Sequence, residues 1–231
     1  MADGKVGAVI CAAGVSTRMN SKMSKQLIPL RGRPLIAHTL SEFEKSTRIS
    51  EVVLVVNRGV IDYYKQNVVE RYHFKKVRRV VGGGVNRQDS VYSGLLALSP
   101  YIEIVSIHDG ARPLVTSELI DKTVELLGDK NGIVVAVPAQ DTIKIVGEDG
   151  IVVETPKRSS LWAVQTPQVF PLKLIKEAIE RANEEGFVGT DDASLMERLG
   201  YKVHIVLGTK ENMKITTPID LTIAEVIMNE R

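Results

Sequence analysis

The 231-residue sequence has few of the features that mark several common protein classes. It contains a single cysteine, Cys11, so no disulfide can form within the chain. Cys11 lies in an apolar run, which favours a small buried residue in a reducing compartment. No apolar stretch approaches the roughly 20 residues that a membrane span needs, and the first residues lack a signal-peptide core. We therefore expect a cytoplasmic protein without membrane contact.

An excess of charge of one sign is also missing. The chain has 30 Lys and Arg against 28 Asp and Glu, which gives a net charge of +2 at pH 7. A nucleic-acid partner would require a basic stripe, whereas these cations are scattered among acids, so we expect none. Apolar residues make up 44% of the chain, which is too rich for disorder and ordinary for a globular protein.

Apolar strand patterns alternate with helical patterns along most of the chain. A continuous run such as 51–56 is typical of a parallel strand buried on both faces, and the spacing in 35–45 predicts a helix. Without a repeat or a linker, we predict one α/β domain over 1–231 with an open, mostly parallel sheet and helices on both faces. The other predicted strands are 6–12, 77–81, 102–107, 132–137 and 202–207, and the other helices are 61–72, 91–98, 118–127, 171–183, 194–199 and one beginning near 217.

The alternation changes after Pro138. Segments 141–146 and 150–155 both alternate apolar and polar residues around a Gly-Glu-Asp-Gly turn, which predicts a β-hairpin arm at about 140–155. The apolar face of such an arm must be covered, so it is a candidate dimerisation arm. Trp162, the only tryptophan, is expected to be a packing anchor.

Two glycine-containing loops are candidate ligand sites. The first follows strand 6–12, where Ala12-Ala13-Gly14 precedes Arg18, Lys22 and Lys25. Small residues and nearby cations are typical of an anion site, but they also fit an ordinary turn with a solvated basic face. In the second loop, Gly82-Gly83-Gly84 separates a strand from a helix, so backbone there can also approach a ligand.

A third polar segment, His108 to Pro113, follows strand 102–107. Ligands of open α/β sheets bind beyond the carboxyl ends of the strands, so Asp109 and Arg112 are site candidates. Alternatively, Asp109 caps the next helix or simply pairs with Arg112.

Five separated segments, considered together, resemble the 2-C-methyl-D-erythritol 4-phosphate cytidylyltransferase family of the non-mevalonate isoprenoid pathway, from about residue 6 to 227. The resemblance implies a Rossmann-like nucleotidyltransferase fold and a homodimer joined through the hairpin arm. It also implies Mg²⁺-dependent transfer of CMP from CTP to a sugar-alcohol phosphate, with release of pyrophosphate. The segments are Ala12-Ala13-Gly14 with Arg18-Met19 and Lys25-Gln26; Gly83-Gly84 with Arg87 and Asp89-Ser90; His108 to Pro113; Arg158 with Trp162 and Gln165 to Gln168; and Thr190 to Ser194 with Asn212 to Thr216.

The same resemblance implies a role for each matching residue. Arg18 and Lys25 match catalytic cations on the CTP phosphates, Lys214 matches the lysine that faces the α-phosphate, and Asp109 matches the acid near ribose, substrate and metal. Whether Asp109 would touch the metal directly or through water stays open. The residues that match the cytidine-binding surface are Ala12, Ala13, Gly14, Gly83, Gly84 and Ser90. Those that match the alcohol-phosphate pocket are Arg112, Thr142, Arg158 and Thr190, of which Thr142 corresponds to a residue supplied by the second subunit.

This chemistry needs charge and position more than a nucleophilic side chain. Joining two phosphates brings polyanions together, and cations offset the charge that accumulates in the transition state. The acceptor phosphate is already an anion, so no general base is required and we interpret His108 as structural. The sequence departs from the family pattern at Val85, where some members carry an acid, and at Gly110, where alanine is common.

Two alternatives remain at this stage. A ribitol-5-phosphate cytidylyltransferase would share the fold, the nucleotide and the chemistry, although Ala12-Ala13-Gly14, Leu161-Trp162 and 190–194 favour methylerythritol phosphate. A nucleotide-binding regulatory module without catalysis is the second alternative, against which the presence of the predicted cations argues.

Overall fold

The computed structural model describes residues 5–14 and 25–231, so the predicted cations Arg18 and Lys22 lie outside the described residues. The strands are β1 (Lys5–Cys11), β2 (Pro29–Leu30), β3 (Arg33–Pro34), β4 (Ile49–Val56), β5 (Val77–Gly82), β6 (Ile102–Asp109), β7 (Gly132–Pro138), β8 (Ile145–Val146), β9 (Val152–Glu154), β10 (Trp162–Pro171) and β11 (Val203–Leu207). The α-helices are α1 (Leu35–Lys45), α2 (Ile61–Tyr64), α3 (Arg87–Leu96), α4 (Ser117–Glu125), α5 (Leu172–Glu184), α6 (Asp192–Arg198) and α7 (Pro218–Glu230).

Seven strands form one sheet in the order β11-β7-β10-β6-β1-β4-β5. All neighbouring pairs are parallel except those of β10, which runs antiparallel to both β6 and β7. The prediction of a Rossmann-like, mostly parallel sheet is therefore confirmed. The sequence indicated only that the chain returns to the core near β10, because polar residues 165–168 interrupt its apolar pattern.

Both faces of the sheet are covered, as the continuous apolar strands predicted. Ile10 of β1 packs in the cluster that contains Phe43 of α1. The adjacent Val9 points to the other face and packs with Leu95 of α3 and Ile179 of α5. This alternation along one strand explains why β1 is apolar from Val6 onwards.

The predicted hairpin is present but short. Only β8 and β9 pair, in the antiparallel sense, and their apolar side chains are exposed in the single chain. Trp162 is 37% exposed at the start of β10, so its prediction as a packing anchor is wrong for this chain. The tryptophan pairs in register with Pro138, where the chain leaves the sheet towards the hairpin, and not with the buried centre of β7.

Helix boundaries differ from the predictions at two places. The segment predicted as helix 61–72 is α-helical only at α2 and continues as a π-helix over Lys65–Glu70. Helix α3 begins at Arg87, four residues before the predicted start, because Asn86 and Asp89 form a capping box there. Among the described residues no helix combines the length and apolar content that a membrane span requires.

Candidate active site

The loops that follow adjacent strands meet at the carboxyl edge of the sheet. The Ala12 N–H donates to the Val55 carbonyl at 2.7 Å, and the Gly110 N–H donates to the Cys11 carbonyl at 2.8 Å. These bonds join the ends of β1, β4 and β6. The Gly83 N–H, which follows β5, also donates to the Val56 carbonyl at 2.8 Å. The three candidate segments of the sequence therefore surround one place, as expected for an open α/β sheet.

The glycine loop after β5 lies against the first loop. A Cβ atom at Gly83 would lie 2.5 Å from the Cβ of Ala13 and 2.7 Å from Oγ of Ser90. At Gly84 an added Cβ would lie 2.2 Å from the Cβ of Asp89, and the Gly84 N–H donates to Ser90 Oγ at 3.2 Å. Glycine is thus required at position 83 for the two loops to approach each other, and at position 84 for the second loop to approach Asp89 of α3.

A cavity of about 320 Å³ opens at this junction. Ala12 and Gly83 are buried next to the lining residues Ala13 and Gly84, whereas Val85 is fully exposed at the rim of the cavity. Seven of the predicted site residues line the cavity: Ala13, Gly14, Lys25, Gly84, Ser90, Asp109 and Lys214.

A second cavity, of about 540 Å³, adjoins the first. It is lined by the predicted acceptor residues Arg112 and Thr190 and by polar residues of β10. Both volumes lie in the range of small-molecule sites. Three residues line both cavities and so form a wall between them: Arg87, Asp109 and Lys214. We call these three residues the dividing wall.

The carboxylate of Asp109 is surrounded by cations. Lys214 Nζ lies 2.9 Å from Oδ2, Arg87 Nε lies 3.3 Å from Oδ1, and Arg112 Nε lies 3.6 Å from Oδ2. Burial alone would raise the pKa of Asp109, but the charges of Arg87, Lys214 and Arg112 outweigh burial and hold the pKa well below its ordinary value. Asp109 therefore carries a negative charge at neutral pH.

Backbone contacts fix the segment that carries Lys214. The N–H of Ile215 donates to the Ala111 carbonyl at 2.8 Å, and the Arg112 guanidinium donates to the Asn212 carbonyl at 2.8 Å. These bonds hold the loop between β11 and α7 against the end of β6. Lys214 consequently faces Asp109 although about 100 residues separate them in the chain.

Two residues of this site received no role from the sequence. Arg87 bridges two carboxylates, because its Nη2 also lies 2.7 Å from Oδ2 of Asp192. Burial raises the pKa of Asp192, against the opposing effect of Arg87. Both residues belong to segments that carried the family resemblance. The signal that could have found them was the presence of an unassigned cation in one segment and an unassigned acid in another.

The predicted residues Thr142 and Arg158 do not join the other site residues within one chain. Arg158 lines a separate cavity of about 530 Å³ with Gln140 and Lys210, which shares no residue with the other two cavities. Thr142 is exposed beside the hairpin. Both residues therefore lie on the side of the chain from which the arm extends.

His108 is structural, as the sequence indicated. Its side chain is fully buried, and Nδ1 lies 2.9 Å from Oγ1 of Thr166. Burial lowers the pKa of His108 to about 3, so the ring is neutral at physiological pH. Desolvation likewise raises the pKa of the Cys11 thiol to about 12, which disfavours a thiolate. The sequence favoured a buried residue at this position, whereas Cys11 is only partly buried and lines the first cavity.

The fold and the site define a class: a Rossmann-like nucleotidyltransferase with two adjoining pockets and a charged wall between them. Residues 6–230 match the family model described as "IspD: 2-C-methyl-D-erythritol 4-phosphate cytidylyltransferase". The chain belongs to this family, which confirms the resemblance found in the sequence.

Individual relatives agree with this assignment. The 2-C-methyl-D-erythritol 4-phosphate cytidylyltransferase of Alkaliphilus metalliredigens is 48% identical, covering 98% of this chain and 94% of the relative. The enzyme of the same name from Clostridioides difficile is 46% identical, covering 96% and 92%. Among solved structures, 4-diphosphocytidyl-2C-methyl-D-erythritol synthase from Anaerococcus prevotii has a TM-score of 0.87 at 34% identity, covering 98% of this chain and 99% of that chain.

Proposed function

We propose that this chain transfers CMP from CTP to 2-C-methyl-D-erythritol 4-phosphate, forming 4-diphosphocytidyl-2-C-methyl-D-erythritol and pyrophosphate. The observation that carries the proposal is the dividing wall, whose three charged residues line two adjoining pockets. The chain belongs to a cytidylyltransferase family, whose reaction joins two phosphate compounds. One pocket accommodates the nucleotide and the other the acceptor. Their reacting phosphates then meet at Asp109 and Lys214.

The transfer is a direct displacement at phosphorus. An oxygen of the acceptor phosphate forms a bond to the α-phosphorus of CTP, while the bond to the β-phosphate oxygen breaks and pyrophosphate leaves with the electron pair. The acceptor oxygen is already ionised, so no proton has to be removed. Catalysis therefore depends on alignment and on cations near the accumulating charge.

Lys25 and Lys214 are the proposed cations among the described residues, and Arg18 is a third from the sequence. Lys25 and Lys214 line the same pocket, in which they can face the phosphates of one nucleotide. A cation that contacts a phosphate only as charge accumulates lowers the barrier more than it tightens ground-state binding.

The cytidine is proposed to bind the small-residue loops formed by Ala12, Ala13, Gly14, Gly83, Gly84 and Ser90. Backbone N–H and C=O groups there can recognise a base edge without a charged side chain. The full exposure of Val85 supports this view, since its side chain lies at the rim of the pocket.

Magnesium is part of the proposal, with Asp109 as its protein ligand, directly or through water. Mg²⁺ commonly takes one or two carboxylates and completes its shell with phosphates and water. Among residues 5–14 and 25–231 no group of three or more His, Cys, Asp or Glu could hold a metal, whereas Asp109 is an ionised carboxylate on the wall of both pockets. These residues fit an ion that arrives with the triphosphate. When bound, it would offset part of the phosphate charge.

The acceptor phosphate is proposed to bind Arg112 and Thr190 of one chain, with Arg158 and Thr142 from a second copy. Arg112 and Thr190 line the second pocket, whereas Arg158 and Thr142 lie near the hairpin. A homodimer is supported by apolar side chains of the hairpin and neighbouring strands that are exposed in the single chain: Ile143, Ile145, Val146, Ile151, Val152, Val153, Trp162, Val164, Ile205 and Leu207. A cytoplasmic location is kept as a prediction from the sequence.

A pyrophosphate-release assay with CTP, Mg²⁺ and alternative acceptors tests this function. We expect clear preference for 2-C-methyl-D-erythritol 4-phosphate over ribitol 5-phosphate. The opposite preference would favour a ribitol-5-phosphate cytidylyltransferase. Measurable CTP binding without turnover on either acceptor would favour a non-catalytic nucleotide-binding module.

A further inference from the structure

Arg87 is the member of the dividing wall that connects Asp109 to helix α6. Arg87 is the first residue of α3, and the capping box of Asn86 and Asp89 fixes the backbone at this end of the helix. Its side chain reaches across to α6, where it donates to Asp192, and on the way it donates to Asp109. The guanidinium is thus stretched between a buried acid and the acid at the reaction centre.

Asp192 is an unusual partner for this bridge. It is 1% exposed, and its Oδ1 atom has no hydrogen-bond partner within the described part of the chain. Burying a carboxylate with one oxygen unsatisfied is costly, and the short 2.7 Å bond from Arg87 to Oδ2 is its ion pair. Asp192 therefore provides a negative charge for Arg87, and its burial lowers the free energy of unfolding.

The N-terminus of α6 does not require that charge. Asp191 is the residue that caps the helix, accepting a bond from the Ser194 N–H, and the Ser194 hydroxyl completes the capping box. Asp192 is the next residue, inside the helix. A neutral residue of the same shape at this position would leave the cap intact.

We propose that Asp192 is a positioning residue, which anchors Arg87 and through it orients the Asp109 carboxylate between the nucleotide and acceptor pockets. This inference rests on the proposed function, since the reacting phosphates are those of CTP and the acceptor. Asp192 itself lines neither pocket, so it acts only through Arg87.

The balance of charges in the dividing wall shows how Asp192 affects Arg87 and Asp109. Asp109 and Asp192 stand against three cations, Arg87, Arg112 and Lys214. When Lys214 turns to a substrate phosphate, two cations remain with two carboxylates. Without Asp192, the Arg87 guanidinium could move to pair with a substrate phosphate. Asp109 would then lose one of the contacts that fix the orientation of its carboxylate.

The test is a double-mutant cycle with Asp192→Asn and Arg87→Lys. Asparagine keeps the size and one acceptor oxygen but removes the charge, and lysine keeps the charge but cannot bridge both acids with a planar fork. We expect each variant to lower kcat by about tenfold or more, as for a misplaced reacting group, with the KM for CTP changed by less than about threefold. The double variant should lose no more than the worse single variant, because both break one bridge.

Leu195→Val is the matched control for a structural effect. It removes a buried methylene carbon from the same helix without touching the bridge, so kcat of the folded protein should stay at the wild-type value. The Nε–H resonance of Arg87, assigned by its disappearance in Arg87→Lys, gives a readout independent of turnover. It should lose exchange protection in Asp192→Asn and keep it in Leu195→Val.

Three results would overturn the inference: a kcat for Asp192→Asn within about twofold of wild type, losses that multiply in the double variant, or an unchanged Arg87 resonance. Wild-type protein that releases no pyrophosphate would overturn the proposed function and this inference with it. Wild-type turnover combined with an unaffected Asp192→Asn variant would overturn this inference alone.

Discussion

The ammonium of Lys214 lies 2.9 Å from the carboxylate of Asp109. The cation proposed for the α-phosphate is therefore paired with an acid of the protein itself. Lys214 remains 40% exposed, whereas Asp109 is only 10% exposed, so the lysine can exchange its partner while the acid stays fixed. The ion pair holds the Lys214 side chain at the boundary of the two pockets, close to the proposed position of the transferred phosphorus.

Removal of the Lys214 charge should affect the chemical step. We expect Lys214→Ala to lower kcat by about 10²- to 10³-fold, since deletion of one group that stabilises transition-state charge has this order of effect. Steady-state pyrophosphate release measures it. Lys202→Ala, which removes an exposed lysine from the segment before β11, is the control and should retain activity. A loss of less than about threefold in Lys214→Ala would contradict the role.

The contact between the two nucleotide loops gives a second prediction. In Gly83→Ala the new methyl group would lie 2.5 Å from Ala13 and 2.7 Å from Ser90 Oγ, so the loops must separate. We expect the Kd for CTP, measured by titration calorimetry, to rise by about tenfold or more, since a misplaced binding surface loses at least one contact. Gly59→Ala is the control, because its methyl group meets only Asn57 at an ordinary 3.6 Å. Equal affinities of the two variants would exclude the loop contact as a determinant of nucleotide binding.

A composite site in a homodimer predicts complementation between inactive variants. Lys214→Ala and Arg158→Ala should each be inactive alone. After mixing and re-association, about half of the dimers are mixed, and each mixed dimer has one site with both native residues, so activity should return to about a quarter of wild type.

The matched control for complementation mixes Lys214→Ala with Lys25→Ala. These lysines line one pocket of the same chain, so every site in a mixed dimer keeps one defect and activity should not return. If the first mixture also stays inactive, Arg158 does not act across the dimer.

The buried neutral histidine predicts a dependence of stability on pH. His108 has a pKa of about 3 in the folded chain, against 6.5 for an unperturbed histidine. Between these values the unfolded chain binds a proton that the folded chain does not. The free energy of unfolding should therefore fall as pH is lowered from about 6.5 towards 3, by up to about 1.4 kcal/mol per pH unit from this residue.

Denaturant unfolding at several pH values measures this slope. His108→Gln removes the titrating group, so the slope in this range should become shallower by about one proton. His73→Asn is the control, because it removes an exposed histidine with a positive φ angle that asparagine accepts. Identical slopes for His108→Gln and wild type would mean that other groups carry the acid sensitivity.

The secondary-structure elements that the sequence predicted are those in which the polarity of each side chain matches its burial. Strand β4 is apolar from Val52 to Val56 because both faces of the sheet are buried there, whereas the hairpin is exposed and its sequence alternates. Strand β10 escaped prediction because the buried side chains of Gln165 and Gln168 donate to Thr209 and Asp191, partners that only the folded chain supplies. The residue types alone cannot distinguish a buried strand with hydrogen-bonded polar side chains from an exposed loop.

The same limit applies to the site. The sequence identified Asp109 and Lys214 through the family resemblance, but it could not show that Arg87 bridges Asp109 and Asp192. That bridge joins residues 105 positions apart, and it exists because α3 and α6 begin at the same edge of the sheet. The separation of Arg158 from the other acceptor residues also depends on the arrangement of strands, which no local pattern encodes.

Direct attack between the two pockets is most sharply tested by isotope exchange between radiolabelled pyrophosphate and CTP. A direct displacement leaves no CMP on the enzyme, so with CTP and Mg²⁺ alone the label should stay in pyrophosphate. Addition of the cytidylylated product should allow label to enter CTP, because the reverse reaction then runs. Rapid exchange without acceptor or product would reveal a covalent CMP-enzyme and contradict the transfer across the dividing wall.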